Sequence, residues 1–245
     1  MHAREACKRV SSSRLQRVVG GSARTFARFG RVAAGVSWIV TNRCNLRCVY
    51  CACPDMKVPE LDTDQALDVI DEMAAMGTAR VHLTGGEPLV RKDIEKLITR
   101  LRFHAIDVSV SSNGTLVPRR RRILRDCRSV SLSLDGPPAV HDLNRAEGQV
   151  DEVIAALAAL QELGVTRYLT CLVTSRTGPA CLDFVLGVAK RFEAEVFFQP
   201  ALDIVLASDE SNPVAAGPEQ VRTIFDAVMS RKKAGAPVGN SLAGL

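Results

Sequence analysis

Three cysteines within one short stretch are the residues of this sequence best suited to chemistry. The run Thr41-Asn42-Arg43-Cys44-Asn45-Leu46-Arg47-Cys48-Val49-Tyr50-Cys51 spaces its thiols C-x3-C-x2-C. Thiolates spaced this way on one loop can wrap three corners of an iron–sulfur cube and leave the fourth iron without a protein ligand. An iron with an open position is a place where a protein can present a cofactor. Zinc competes as a reading because Cys53 follows closely. Four ligands within ten residues make a cramped cage, however, and structural zinc sites usually join two separated knuckles. A disulfide is a third reading, opposed by a chain with no secretory apolar segment. Cys53 itself reads as a small packed residue.

Such a loop needs a scaffold, and the pattern downstream supplies one. Apolar and β-branched runs at 36–41, 80–84, 106–111, 129–134, 168–174 and 195–200 read as strands. Helical periodicity covers 63–76, 92–103, 118–126, 150–163, 180–192 and 218–233. Thr63 stands as the N-cap of the first of these helices, and Gly77 lies just past its end. Six β/α units in strict alternation predict an α/β fold with a parallel sheet, most simply a partial (βα)6 TIM-like barrel. Chemistry is then expected at the carboxyl ends of the strands. The cysteine run directly follows the first strand. Thr84-Gly85-Gly86-Glu87-Pro88 ends the second, Ser111-Ser112-Asn113-Gly114 the third, and Ser131-Leu132-Ser133-Leu134-Asp135-Gly136-Pro137 the fourth. Phe197-Phe198-Gln199-Pro200 ends the sixth. His82 lies inside a strand and reads as a packed side chain; none of the four histidines has metal-ligand spacing. Neither a G-x-x-x-x-G-K-[ST] phosphate loop nor a G-x-G-x-x-G fingerprint is present.

Taken together, these segments resemble the radical S-adenosylmethionine (SAM) superfamily over about residues 36–233. The cysteine spacing matches, with Tyr50 as the aromatic residue before the last cysteine, and Gly85-Gly86-Glu87-Pro88 matches the family's GGEP motif. The Ser131–Pro137 segment and His141-Asp142 with Arg145 are similar to the SLDGP and HDxxR stretches of the peptide-maturase (SPASM) and molybdenum-cofactor-type branches. The resemblance implies a [4Fe–4S] cluster on Cys44, Cys48 and Cys51 and reductive cleavage of SAM to a 5′-deoxyadenosyl radical that abstracts hydrogen from a substrate. It implies that Tyr50, Gly85, Gly86, Glu87, Pro88, Ser112, Asn113, Ser133 and Arg145 surround the cofactor. Gly86 and Glu87 would meet the SAM ammonium, Ser133 the ribose, and Arg145 the SAM carboxylate, unless Arg145 is an ordinary surface arginine. Asp135 either caps its turn or faces the substrate, and Gln199 faces substrate or adenine. A one-electron donor such as flavodoxin or ferredoxin is implied as a partner. The substrate implied first is a peptide or protein. A small molecule of cofactor or lipid biosynthesis comes next, and a non-catalytic metal-binding scaffold is the rival from another class.

The bulk composition narrows the classes further. Hydrophobic residues make up 47% of the 245 residues while aromatic ones make up 4%, so the core must rest on Ala, Val, Leu and Ile. Eight Lys or Arg stand in residues 1–35 against Glu5 alone, which leaves the rest of the chain slightly acidic although the net charge is +5. The basicity therefore describes an N-terminal arm and argues against a nucleic-acid partner for the body. Residues 14–33 carry amphipathic helical spacing, and 1–35 read as a basic helical extension that packs outside the domain or touches a membrane surface. Residues 36–233 read as the core domain and 234–245 as a tail, where a further cysteine-rich domain would begin in longer relatives. The Arg119–Arg122 run reads as a solvated helix face. Eight cysteines without a secretory signal place the chain in a reducing cytoplasm.

Overall fold

The computed structural model describes residues 34–201 and 211–241. The helix expected at 14–33 and the end of the C-terminal tail lie outside the described residues. Six strands form the sheet: β1 (Gly35–Thr41), β2 (Arg80–Gly85), β3 (Asp107–Ser112), β4 (Ser129–Ser133), β5 (Thr166–Val173) and β6 (Glu195–Pro200). All neighbouring pairs are parallel, and the order across the sheet is the order along the chain, β1-β2-β3-β4-β5-β6. A sequential order with right-handed crossovers sends every connection over the same face. One face is thus covered by helices and the other is left concave and open, as the partial barrel requires.

The helices are α1 (Thr63–Ala75), α2 (Ile94–Phe103), α3 (Val117–Leu124), α4 (Pro138–Asn144), α5 (Gln149–Glu162), α6 (Pro179–Arg191) and α7 (Pro218–Lys233). Ile94, Leu97, Ile98 and Leu101 of α2, and Val150, Val153, Leu157 and Leu160 of α5, are spaced three or four apart and buried. They meet the strand residues of opposite parity, Val81, Leu83, Val108, Val110, Val130 and Leu132, all fully buried. Phe192 and Phe198 are the only aromatic side chains in the buried core of the described residues, so Val, Leu, Ile and Ala fill it, as composition requires.

Several boundaries move. The helix expected from 92 starts at Ile94, and the one expected at 118–126 spans Val117–Leu124. The N-cap of α1 is Asp62 and not Thr63. Its carboxylate accepts from Gln65 N at 2.9 Å, and the Gln65 side chain accepts from Asp62 N at 3.1 Å, a complete capping box. Thr63 instead donates to Asp93 at 2.8 Å. Helix α4 and the 3₁₀ turns at Cys53–Asp55 and Pro88–Val90 were not foreseen, because segments this short carry less than two turns of periodicity. The arginine-rich face of α3 is solvated as expected, with Arg121 and Arg122 paired to Glu162 and Glu95. Past α7 the chain returns along the outer edge of β6. Val196 N donates to Pro237 O, Gly239 N donates to Val196 O, both at 2.8 Å, and the Asn240 side chain brackets Phe198. A Cβ on Gly239 would lie 2.5 Å from the Phe197 ring, so only glycine lets that ring rest on the returning chain.

Replacing Asp62 by Ala removes both halves of the capping box. Stability should fall by about 1 kcal/mol, read as a lower denaturant midpoint at unchanged slope.

Candidate functional site

The cysteine loop is fastened across the carboxyl ends of the first four strands. Its entry is fixed by Glu60, which accepts from Thr41 Oγ1 at 2.6 Å and from Asn42 N at 3.0 Å. The register of β1 against β2 shifts between Ile39 and Thr41, a bulge of the kind that re-aims a strand end beside a site. Arg91, 3% exposed, donates to the carbonyl of the bulged Val40 at 2.7 Å. Neither Glu60 nor Arg91 stood out in the sequence. The one signal was an arginine set directly after the apolar pair Leu89-Val90, where burial would demand partners.

The Gly85-Gly86-Glu87-Pro88 turn lies directly against this loop. Gly86 N donates to Thr41 O and Glu87 N to Arg43 O, both at 2.9 Å. A Cβ on Gly86 would stand 2.4 Å from Arg43 O, and one on Gly85, whose φ is +139°, 2.1 Å from Thr41 O. The glycines therefore admit the cysteine loop itself. The Glu87 side chain is fully buried and points away from the loop's outer surface. It accepts from Leu89 N at 3.0 Å, Asn113 N at 2.7 Å and the Ser112 hydroxyl at 3.1 Å. Burial pushes its carboxyl up to about 7, partly offset by these three donors. Ser112, 3% exposed, thus spends its hydroxyl joining β3 to the turn after β2. Pro88 is buried as the first residue of the 3₁₀ turn. Asn113 does reach the loop, with Nδ2 3.0 Å from Asn45 Oδ1 and 3.8 Å from Cys44 Sγ.

At the far side the loop meets β4 and α4. Val49 N donates to Asn144 O at 2.9 Å, and the Tyr50 hydroxyl donates to Asp135 at 3.3 Å. Asp135 is fully buried and is held by a two-pronged pair with Arg145, at 2.9 and 3.1 Å, and by Leu172 N at 3.1 Å. Burial alone would raise this carboxyl, but the guanidinium and the backbone donor outweigh it and hold it below the usual range. The Arg145 side chain is 9% exposed and lies over the Tyr50 ring at 5.4 Å, so the surface-arginine reading is excluded. Its Nε and Nη2 are committed to Asp135. Asp135 N donates to His141 Nδ1 at 3.0 Å, and burial brings that imidazole down to about 4, so it is neutral at pH 7.

Cys44 and Cys48 are half-buried, Cys51 is exposed, and all three are free thiols. Burial raises the thiols of Cys44 and Cys48, and Arg145 pulls Cys48 back down. Among the described residues no three His, Cys, Asp or Glu side chains come together closely enough to share one metal ion. Cys53 is half-buried, not packed away, with its thiol 3.8 Å from Asn42 Oδ1.

The concave face holds a cavity of about 550 Å³. Ser133 is half-buried on the same face, and Gln199 lines the cavity at the exposed end of β6. His82 is not a core residue: it faces this cavity, with Nδ1 3.0 Å from Ser109 Oγ and Nε2 2.9 Å from Ser111 Oγ. Its strand position alone could not tell the covered face from the open one.

The chain matches known proteins over this same region. The family model described as the Radical SAM superfamily matches residues 38–177. Mycofactocin maturase MftC of Mycolicibacterium smegmatis is 31% identical over 205 residues, 80% of this chain and 52% of that protein. GTP 3′,8-cyclase of Xanthomonas campestris is 34% identical over 162 residues, 60% of this chain and 48% of that protein. The solved structure of native anSMEcpe with bound AdoMet and Cp18Cys peptide superposes with a TM-score of 0.68 at 22% identity, over 83% of this chain and 62% of that one. The chain thus spans about half the length of the curated relatives it matches.

Two substitutions probe this geometry. Gly86→Ala forces backbone against the cysteine loop, so the purified variant should retain less than about a tenth of the wild-type iron and sulfide after anaerobic reconstitution. Asp135→Ala leaves a buried guanidinium unpaired and should cost about 3–5 kcal/mol in denaturant unfolding, more than Arg47→Ala, whose pair with Asp55 is exposed.

Proposed function

The chain belongs to the radical SAM superfamily, and on that premise we propose that it is an enzyme that cleaves SAM reductively to modify a peptide. The observation that carries the reading is the fastening of the three-cysteine loop onto the Gly85-Gly86 turn at the open end of the half-barrel. Cys44, Cys48 and Cys51 would hold the [4Fe–4S] cluster. Once bound there, the cluster and SAM would supply the one-electron chemistry that removes hydrogen from an unactivated carbon.

The chain's own residues provide placement and shielding. The backbone of the Gly86–Glu87 turn fixes the height of the cysteine loop. Tyr50, Asp135 and Arg145 fix its far end. Ser133 and Asn113 would offer a bound nucleoside hydroxyl and amide partners. With Nε and Nη2 committed to Asp135, Arg145 offers the SAM carboxylate its charge more than a free fork. Seven free cysteines among the described residues suit a reducing cytoplasm, where a flavodoxin or ferredoxin would deliver the electron. No helix of the described residues is long and apolar enough to cross a membrane.

A peptide is favoured as substrate by the similarity to mycofactocin maturase over four-fifths of the chain and by the peptide bound in the superposed structure. The similarity to GTP 3′,8-cyclase supports a small molecule as the second reading. Anaerobic reconstitution with iron and sulfide, followed by SAM and dithionite, should release 5′-deoxyadenosine. Cys48→Ala should reduce that release by at least about a hundredfold through loss of a cluster ligand. Wild-type protein that takes up zinc but no iron and sulfide, and forms no 5′-deoxyadenosine, would favour a non-catalytic scaffold.

A further inference from the structure

The cavity in the half-barrel is lined by side chains of one electrical character. Its walls are hydroxyls (Ser37, Ser109, Ser111, Ser131 and Thr170 among them), the imidazole of His82 and the amide of Gln199. Tyr168 and Phe197, packed edge to face at 5.6 Å, form an aromatic wall. Among the described residues no Asp, Glu, Lys or Arg takes part in the lining.

The sheet register arranges these groups in tiers. Ser37, His82, Ser109 and Ser129 are paired across β1 to β4, and Ser111, Ser131 and Tyr168 across β3 to β5. The first tier lies two residues, about 7 Å, deeper than the second. Ser131 and Thr170 share a hydrogen bond of 2.9 Å in the shallower part. His82 is tied to both tiers through Ser109 and Ser111. Burial lowers its pKa, so the neutral form prevails at pH 7 and one ring nitrogen donates while the other accepts.

We propose that this cavity is the substrate subsite and selects an uncharged hydrogen-bonding group, the amide or neutral polar side chain of a peptide, over carboxylate, ammonium or phosphoryl groups. The inference rests on the radical SAM reading for the word substrate; the charge selectivity stands on the lining itself. Hydroxyls and a neutral imidazole can each donate or accept, which matches amide and hydroxyl partners. A charge moved into such a lining loses its water and meets no counter-charge, which is costly. The triphosphate of a nucleotide meets no cation among the described residues of the lining.

The test is titration by saturation-transfer NMR on the full chain, before and after reconstitution with iron and sulfide. The probes are N-acetylthreonine amide, N-acetylaspartate amide, N-acetyllysine amide and GTP. The threonine amide should bind at least about tenfold more tightly than each charged probe, the cost of one unpaired polar contact or more. His82→Phe should weaken its binding about tenfold. Ser37→Lys, at a position accessible in the open part of the sheet, should reverse the order so that the aspartate amide binds best. A charged probe bound within tenfold of the threonine amide in the wild type, an undetectable threonine amide, or an unchanged order in Ser37→Lys would each overturn the selectivity. None of these readouts needs SAM cleavage. Absent 5′-deoxyadenosine with intact selectivity would therefore count against the radical reading alone.

Discussion

Two pieces of backbone meet in the site with no space for a side chain between them. Thr41, Asn42 and Arg43 pass so near Gly85 and Gly86 that no side chain fits between them. Two hydrogen bonds from the glycine turn to the carbonyls of Thr41 and Arg43 make the contact specific in register. Because the cysteines start at the next residue, the position of every thiol is referred to the end of β2. A loop carrying two half-buried thiols and one exposed one has little apolar surface of its own to bury, so it borrows rigidity from a strand end that the core already holds.

The second fixed point is electrostatic. Asp135 gathers Tyr50 from the cysteine loop, Arg145 from the segment after α4, and the backbone of β5 around one buried carboxylate. The pair is two-pronged and largely dry, the geometry in which a buried ion pair offsets its own desolvation best. It also places a permanent positive charge near Cys48. Structure and electrostatics of the site are therefore set by the same residues, and a change to either end of the pair would alter both.

Much of this was legible in the sequence. The alternation of strands and helices gave the sheet and its order, and the location of each polar motif at a strand end gave the face on which the site sits. What escaped was of two kinds. Short elements such as α4 carry too few residues for periodicity to show. Polar residues that act by holding backbone, such as Glu60 and Arg91, look in sequence like any charged residue, since a one-dimensional pattern does not reveal which backbone group will need a partner. His82 belongs to a related case. Alternation identified its strand, but a half-barrel with a polar concave face leaves the parity of inward and outward positions open until the helices are placed.

The return of the chain past α7 bears on the chamber at a distance. Phe197 forms part of the aromatic wall, and its ring rests on Gly239 with no room for even a methyl group. The bore of the half-barrel on the β6 side is thus gauged by a glycine more than forty residues away along the chain. Any side chain there would have to drive the ring inward or lift the terminal strip from the sheet. Homologous chains that differ only in this outer strip would accordingly present chambers of different width behind an unaltered set of thiols.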